Sequence, residues 1–377
     1  MTERRPIVAL VTDAIGPYHH GGKELRYLEL ANRLSARADV HVYTMKWWEG
    51  PSTWSDGAVT YHALSPLLPL YSGGRRSIRQ AIVFAIACLR LMVEKFDVIE
   101  ADHMPYMQLF TLKAVALVRR RRLVVTWHEY WGRDYWTSYM GRAGRLGWIC
   151  ESLATRLPDM IIAASPETAK RLRDVTRNRV EVVVAPNGIN LDLIGEVKAD
   201  TERVDVVVVG RLLPHKRIDL LLEALAILRE QSRTVTAQVV GNGPQLEELV
   251  TLARELGVID CVDFRQDVDS DRDLFGVLKA ARVAVFPSER EGFGIAVLEA
   301  LACGIPVITT SAPDNLARHL VDRSLGGGLV CEPSAEAIAA AILAVLDHSG
   351  APAMLDSSWL LEYDWGTITD RVAAALW

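Results

Sequence analysis

The sequence predicts an α/β fold with two domains, each built on its own parallel sheet. Three observations point there. At ordinary domain sizes, 377 residues are two domains' worth of chain. Short apolar runs alternate throughout with longer segments of helical periodicity, which is the rhythm of βαβ units. That rhythm restarts after Ala185-Pro186-Asn187-Gly188, where Pro and Asn-Gly punctuate the chain strongly.

In the first half, residues 7–11, 40–44, 98–100, 123–126, 160–163 and 180–184 read as strands. Segments such as 23–35 and 78–94 between them carry apolar residues at helical spacing. In the second half the strands are 204–209, 236–240, 262–264, 283–286 and 307–309, nearly all apolar and hence buried on both faces. Helices are expected at 220–229, 245–256, 272–280, 295–302 and 335–347, and residues 191–202 read as a polar connector. The last segment, 362–377, places Trp365, Ile368, Val372, Leu376 and Trp377 at roughly helical spacing. Two such sheets imply two Rossmann-like domains, residues 1–186 and 187–361.

Composition narrows the class. Half the residues are hydrophobic and 24% are charged, enough for a large core. The longest wholly apolar run, 81–89, is far shorter than the roughly 20 residues that span a bilayer. The apolar stretch at 7–11 is too short for a signal-peptide core. Cys88, Cys150, Cys261, Cys303 and Cys331 are odd in number and form no CxxC pair, so they read as reduced thiols rather than a disulfide frame or zinc site. The expectation is a cytoplasmic, two-domain soluble enzyme. Its net charge of −5 hides a division: residues 1–185 carry 26 Lys and Arg against 18 Asp and Glu, so the remainder is strongly acidic. Either the halves meet different partners or solvated helix faces happen to differ.

Four segments carry chemistry. The strongest is residues 286–308, a buried strand, a glycine-bearing loop, a helix and a second strand. Glu291 sits in the loop and Glu299 on the helix, while Gly292 and Gly294 let a ligand approach the backbone. Amides at the helix start suit an anion, and the two acids suit sugar hydroxyls on either side of a phosphate. The plainer alternative makes Glu299 a helix-dipole partner and Glu291 a surface acid. Next comes Val208-Val209-Gly210-Arg211-Leu212-Leu213-Pro214-His215-Lys216-Arg217, where Arg211 and Lys216 leave the carboxyl end of a strand, where ligands bind in open α/β sheets. Two cations there would stabilise a diphosphate leaving group; otherwise they are solvated surface charges.

The third is Pro17-Tyr18-His19-His20-Gly21-Gly22-Lys23-Glu24, at a strand–helix turn. It is not GxGxxG, which disfavours a dehydrogenase. The fourth is Val124-Val125-Thr126-Trp127-His128-Glu129-Tyr130, which puts His128 just past a strand. Acceptor contacts are expected from the first domain at His19, His20, Trp127, Tyr130 and Trp131, since aromatic faces stack on sugars as readily as they pack cores. Asp269-Ser270-Asp271 and Asp271-Arg272-Asp273 match an acid-x-acid metal pattern but precede a helix, where Asp acts as cap and dipole partner. No metal is expected.

As a set, in this order along nearly the whole chain, the segments resemble the retaining GT-B glycosyltransferases of the group 1 family, glycosyltransferase family 4. The resemblance adds the run at 159–165 and Val240-Gly241-Asn242-Gly243-Pro244 to the motifs above, and Glu291…Glu299 within its loop is its most specific part. It implies two Rossmann-like domains whose parallel sheets face each other across a cleft, with helix 362–377 crossing back onto the first. It implies a nucleotide-sugar donor on the second domain, most simply a UDP-sugar. Arg211 and Lys216 would hold the diphosphate, Glu299 the ribose hydroxyls and Glu291 the sugar hydroxyls. Phe293, Gly294 and Ile295 would offer amides, and Gly210, Gly243 and Gly292 close backbone approach. Gly21 and Gly22 would approach the phosphate from the first domain, and His128 the sugar near its reacting carbon.

The implied reaction moves a hexose to a hydroxyl of a glycan, lipid-linked or natural-product acceptor, with retention and with neither metal nor cofactor. An epimerase of the same fold and a non-catalytic sugar-nucleotide-binding module stay open as alternatives. Two departures from the family pattern stand out. Ala312-Pro313-Asp314-Asn315 replaces a glycine-rich turn with its Glu, and His215 and Arg217 flank Lys216. Arg75, Arg76, Arg79, Arg90 and 119–122, with the apolar segment 78–94, suggest peripheral contact with an anionic membrane at its cytoplasmic face. No nucleic-acid partner is expected.

Overall fold

A computed structural model of the protein describes residues 4–19, 21–72, 75–268, 270–347 and 357–377. Two residues singled out above, His20 and Asp269, lie outside the described residues. The chain divides into two compact units, Met1–Gly188 with Trp365–Trp377, and Ile189–Asp364. The division follows Gly188 rather than Pro186, and the return starts at Trp365 rather than residue 362. Side-chain packing explains both. Arg26 Nη1 donates to the Pro186 carbonyl at 2.5 Å, which holds that residue on the first unit. Gly188 lies against the Trp365 ring, where a Cβ would come within 2.4 Å of a ring carbon. One residue further on, Ile189 N donates to Tyr363 O at 2.8 Å and Ile189 bridges Asp364, so the two crossing strands run side by side.

The first unit contains β1 (Ile7–Val11), β2 (Asp39–Met45), β3 (Thr53–Asp56), β4 (Val59–Ser65), β5 (Tyr71–Ser72), β6 (Arg75–Arg76), β7 (Val98–Asp102), β8 (Arg122–Trp127), β9 (Met160–Ala163) and β10 (Glu181–Val184). Eight of them form one sheet in the order β10-β9-β8-β7-β1-β2-β4-β3, parallel except for β3. The β3–β4 edge lies outside the expected strands; Thr53–Asp56 is mostly exposed and so lacks the apolar run that marks a buried strand. β5 and β6 pair as a separate antiparallel ribbon. The segment expected as one helix at 78–94 is an α-helix only over Ile78–Ala87, capped by Ser77, and tightens into a 3₁₀ turn over Cys88–Met92.

The two faces of this sheet carry separate apolar clusters. One includes Ala9, Val125, Phe84, Leu91, Leu112, Val115 and Ala154. The other includes Val8, Val40, Tyr27, Leu30 and the inner face of helix Trp365–Leu376, with Trp365, Ile368, Val372 and Leu376 buried. At about 2 kcal/mol for each fully buried large apolar side chain, that terminal helix is an integral part of the first unit.

The second unit contains β11 (Val204–Val209), β12 (Ala237–Val240), β13 (Val262–Arg265), β14 (Ala281–Phe286), β15 (Arg290–Glu291), β16 (Val307–Thr310), β17 (Asp314–Asn315) and β18 (Gly328–Cys331). Its six-stranded sheet runs β13-β12-β11-β14-β16-β18, and every pairing in it is parallel. The expected polar connector opens instead with a short helix, Leu191–Glu196, because Asn190 accepts from Leu193 N and caps it.

Both sheets reverse their order of construction at one place. In the first unit successive strands build outward from β1 to β2 and then resume at β7 on its other side; in the second they build from β11 to β12 and β13 and resume at β14. The loops leaving β1 and β7, and those leaving β11 and β14, therefore diverge at the carboxyl edge, the position where open α/β sheets bind ligands.

Candidate functional site

In the second unit the β11 loop and the segment beyond β14 bring together the strongest sequence motifs. The β11 loop carries Arg211, which is exposed, and a 3₁₀ turn over Pro214–Lys216. Arg217 ends that turn at φ 50° and is held bidentately by Asp219, with three N–O distances of 2.9 to 3.1 Å. The turn aims Lys216 at β15, where its Nζ lies 2.5 Å from Glu291 Oε1. Ser288 Oγ donates to the same oxygen at 3.0 Å. Burial opposes the charge of Glu291, but Lys216 and Ser288 outweigh it and hold the carboxyl below the ordinary range.

Two glycines are dictated by close approach. A Cβ on Gly243 would come within 2.4 Å of Leu212 O, and that loop is tied to the β11 loop by Leu212 N→Asn242 O and Gln245 N→Leu212 O. Gly294 precedes helix Ile295–Ala302 at φ 88°, where its Cβ would sit 2.3 Å from that of Ala317. No side chain caps this helix, so its first-turn amides keep their capacity for an anion. On its second turn Glu299 is buried, and no hydrogen bond to its carboxyl occurs among the described residues. Burial, with Asp271 adding repulsion, raises its pKa to about 8, so at neutral pH the group is mainly protonated. The departure at 312–315 has a structural role: Asn315 donates to Thr309 Oγ1 and Thr310 O, each at 2.9 Å, and Leu316 N donates to Glu291 O, which fixes the Glu291 strand.

In the first unit the divergent loops hold a buried ionic network that the sequence motifs only touch. Lys23, on the first turn of helix Gly22–Leu34, reaches Asp13 Oδ1 at 2.6 Å and Asp102 Oδ2 at 2.8 Å. Asp13 also accepts from Arg76 Nη1 and Gln80 Nε2, both at 3.2 Å. Arg76 thus points inward as a partner of Asp13 rather than outward to a membrane surface. Burial disfavours the Lys23 charge, yet Asp102, Asp13 and Glu24 together raise its pKa above 10.5. Glu24 is itself buried, but the His19 hydrogen bond at 3.1 Å and Lys23 bring its pKa down to about 2.

His128 follows β8 with its Nε2 3.9 Å from Asp102 Oδ1, and that nitrogen is buried without a hydrogen bond. Burial drives its pKa down to about 3, against the pull of Asp102, so the imidazole is neutral at pH 7. His103 hydrogen-bonds Asp102 at 3.1 Å and stacks on Trp127. Asp13, Lys23, Asp102 and His103 were not among the sequence candidates. The available signal was an acid at the carboxyl end of two strands, in Thr12-Asp13 and Ala101-Asp102.

The acceptor aromatics divide. Trp127 is fully buried in the core and presents no face to an acceptor, contrary to expectation, because it points inward at the end of β8. Tyr130 and Trp131 are half-buried, and Trp131 packs edge-on against Tyr135 and Tyr139. This aromatic cluster surrounds Glu151, which is fully buried and accepts from Trp131 N, Gly132 N, Tyr106 Oη and Trp136 Nε1 at 2.9 to 3.0 Å. Burial raises the Glu151 pKa despite these four donors. Gly21 and Gly22 form the start of helix Gly22–Leu34, beside His19. Asp271 and Asp273 lie in the first turn of helix Asp271–Ala280, where Ser270 caps Asp273 N; no group of three metal-ligating side chains occurs among the described residues.

Two parallel α/β units with ligand-type loops at their switch points define a GT-B architecture. Residues 20–193 match the model for Glycosyltransferase Family 4, and residues 192–357 match that for Glycosyl transferases group 1. The chain belongs to this family of glycosyltransferases. Among curated relatives it is 31% identical over 215 residues to the D-inositol 3-phosphate glycosyltransferase of Mycolicibacterium smegmatis, covering 54% of this chain and 48% of that one. It is 32% identical over 184 residues to the GDP-mannose-dependent alpha-(1-6)-phosphatidylinositol monomannoside mannosyltransferase of Mycobacterium tuberculosis, covering 46% and 47%. The chain thus spans about half the length of the curated relatives it matches. Solved structures share the fold along the whole chain. Sucrose-phosphate synthase of Thermosynechococcus elongatus superposes with a TM-score of 0.77 at 21% identity, covering 98% of each chain. Anabaena Alr3699/HepE in complex with UDP-glucose superposes with a TM-score of 0.73 at 20% identity, covering 99% of each.

Proposed function

We propose that the protein is a retaining, metal-independent glycosyltransferase that moves a hexose from a nucleoside diphosphate sugar to a hydroxyl acceptor. The observation that carries this reading is the Lys216–Glu291 pair beside the uncapped start of helix Ile295–Ala302, with Glu299 on the next turn. A diphosphate bound by Lys216, Arg211 and the first-turn amides has its leaving charge stabilised where it develops. Glu291, freed from part of its pairing, accepts hydrogen bonds from sugar hydroxyls, and Glu299 does so from the ribose.

In the proposed step the bond from the anomeric carbon to the phosphate oxygen breaks, and a bond to the acceptor oxygen forms on the same face. The acceptor's proton passes to the departing phosphate. The protein contributes orientation and charge. A UDP-sugar is the first donor to test and GDP-mannose the second, given the UDP-glucose complex and the GDP-mannose-dependent relative named above.

The test is a melting-temperature screen over UDP-, GDP-, ADP- and TDP-sugars, followed by transfer assays with the best donor. A donor that raises the melting temperature in wild type but not in Glu299→Ala, and is consumed only when an acceptor is present, supports the proposal. Turnover without acceptor would make the protein an epimerase, and binding without transfer a non-catalytic module.

A further inference from the structure

The exposed large apolar side chains of the first unit are concentrated on three helical segments. Ile78, Ile82, Ile86, Leu89 and Val93 form an outward stripe along Ile78–Ala87 and the turn beyond it. Phe110, Leu117 and Val118 continue it on Met107–Arg119, and Leu146, Ile149 and Leu153 on Gly144–Ala154. Ile86 is 61% exposed, Leu146 72% and Val93 81%. The first segment packs on the second and the second on the third. All three bury their inner sides, through Phe84, Leu112 and Ala154, in the same core cluster. Their outer sides therefore share one side of the sheet.

Within the three segments the exposed charge that lacks an acidic partner is positive, and Lys113 of the second is paired with Asp159. Glu151 is the sole acid within the three segments, and it is buried. Glu94, just past the first, is paired with Arg90. Arg79 and Arg145 on the segments, and Arg120, Arg122 and Arg142 close to their ends in the chain, are exposed and carry no ion pair among the described residues. A monomer seldom displays so many contiguous apolar groups without a partner for them. A second copy of this chain fits badly, because a two-fold contact would set arginine against arginine.

We infer that this three-helix face docks on an anionic lipid bilayer, with Ile86, Leu89, Leu146 and Ile149 entering the headgroup boundary and the arginines meeting lipid phosphates. Docking is peripheral: no helix among the described residues is long and apolar enough to cross a membrane. The inference uses no feature of the sugar-nucleotide site and stands or falls apart from the proposed reaction.

The test is co-sedimentation of the full chain with vesicles of phosphatidylcholine alone or mixed with phosphatidylglycerol, at low and high salt. Wild type should bind the mixed vesicles at least about tenfold more tightly, and high salt should weaken it. At about fivefold per cation, Arg142→Glu with Arg145→Glu should lose more than tenfold. Ile86→Glu with Leu89→Glu should lose binding with an unchanged melting temperature, since both positions are exposed. Equal partitioning onto the two vesicles, absence of binding, or unaffected variants would overturn the inference. So would wild-type dimerisation in analytical ultracentrifugation that the same variants abolish, which would give the face to a second copy.

Discussion

Lys216 Nζ lies 2.5 Å from Glu291 Oε1 although 75 residues separate the two in the chain. The cation proposed for the diphosphate and the acid proposed for the sugar are thus paired with each other. On the proposed reading, a donor's diphosphate competes with Glu291 for this cation. Each partner also keeps the other from being an unpaired, partly buried charge.

Lys216→Ala should lower transfer turnover about hundredfold, the usual scale for removing one charge-stabilising group. It should also reduce unfolding free energy by about 1–3 kcal/mol, because Glu291 loses its counter-charge. Lys216→Ala with Glu291→Ala should recover part of that stability and none of the activity. Urea unfolding and steady-state assays measure both effects; a lysine on an inert surface would leave both unchanged.

Glu299 should make donor binding and stability depend on pH. Its pKa in the folded protein, about 8, lies above the ordinary 4.5, so the native state binds the extra proton between those values. Stability therefore falls as pH rises from 4.5 to 8 and levels off above. Glu299→Gln should remove this loss and gain roughly 3 kcal/mol on wild type between pH 5 and 8 in urea titrations. Ribose hydroxyls favour the carboxylate, so nucleotide affinity in wild type should tighten toward pH 8.5, while the Gln variant shows a flat profile by calorimetry.

His128 has the opposite sign. Its pKa is lowered from 6.5 to about 3, so its contribution is complete above pH 6.5 and is lost as pH falls toward 3. Between pH 6.5 and 5 the loss is on the order of 2 kcal/mol. His128→Gln should unfold less readily than wild type, relative to their difference at pH 7, as the solution is acidified. The transfer rate of wild type should show no inflection from His128 near pH 6.5.

Lys23 should be the most stability-critical cation of the first unit. Removing it leaves Asp13 and Asp102, both fully buried, without their shared counter-charge. Lys23→Met should lower unfolding free energy by about 3–5 kcal/mol at neutral pH, and adding Asp102→Asn should restore part of it. Because the lysine pKa is raised, its contribution is fully present below pH 10.5 and is lost only as pH rises beyond that. A loss below about 1 kcal/mol in denaturant titrations would contradict the network.

The sheet of the second unit was legible because β11, β12 and β14 are nearly continuous apolar runs, and only a strand buried on both faces reads that way. The edge strand Thr53–Asp56 was not, since exposed strands resemble loops. Of the candidate site, the placement of Glu291 between a strand and a helix, Glu299 on that helix and Lys216 beyond a strand end was legible from the glycines and strand ends around them. Lys23, Asp13 and Asp102 were not, because an acid that pairs with a distant lysine looks the same in sequence as one that meets water. Trp127 misled for a related reason: aromatic content marks a core as readily as a sugar platform, and only burial distinguishes the two.

The side-by-side passage of Ile189 and Asp364 has an engineering corollary. The second unit is in effect a single uninterrupted insert whose two ends emerge as neighbours. Residues 189–364 are therefore a natural cassette for exchange between relatives, and a short glycine-serine bridge from Gly188 to Trp365 would close the remaining scaffold without stretching it.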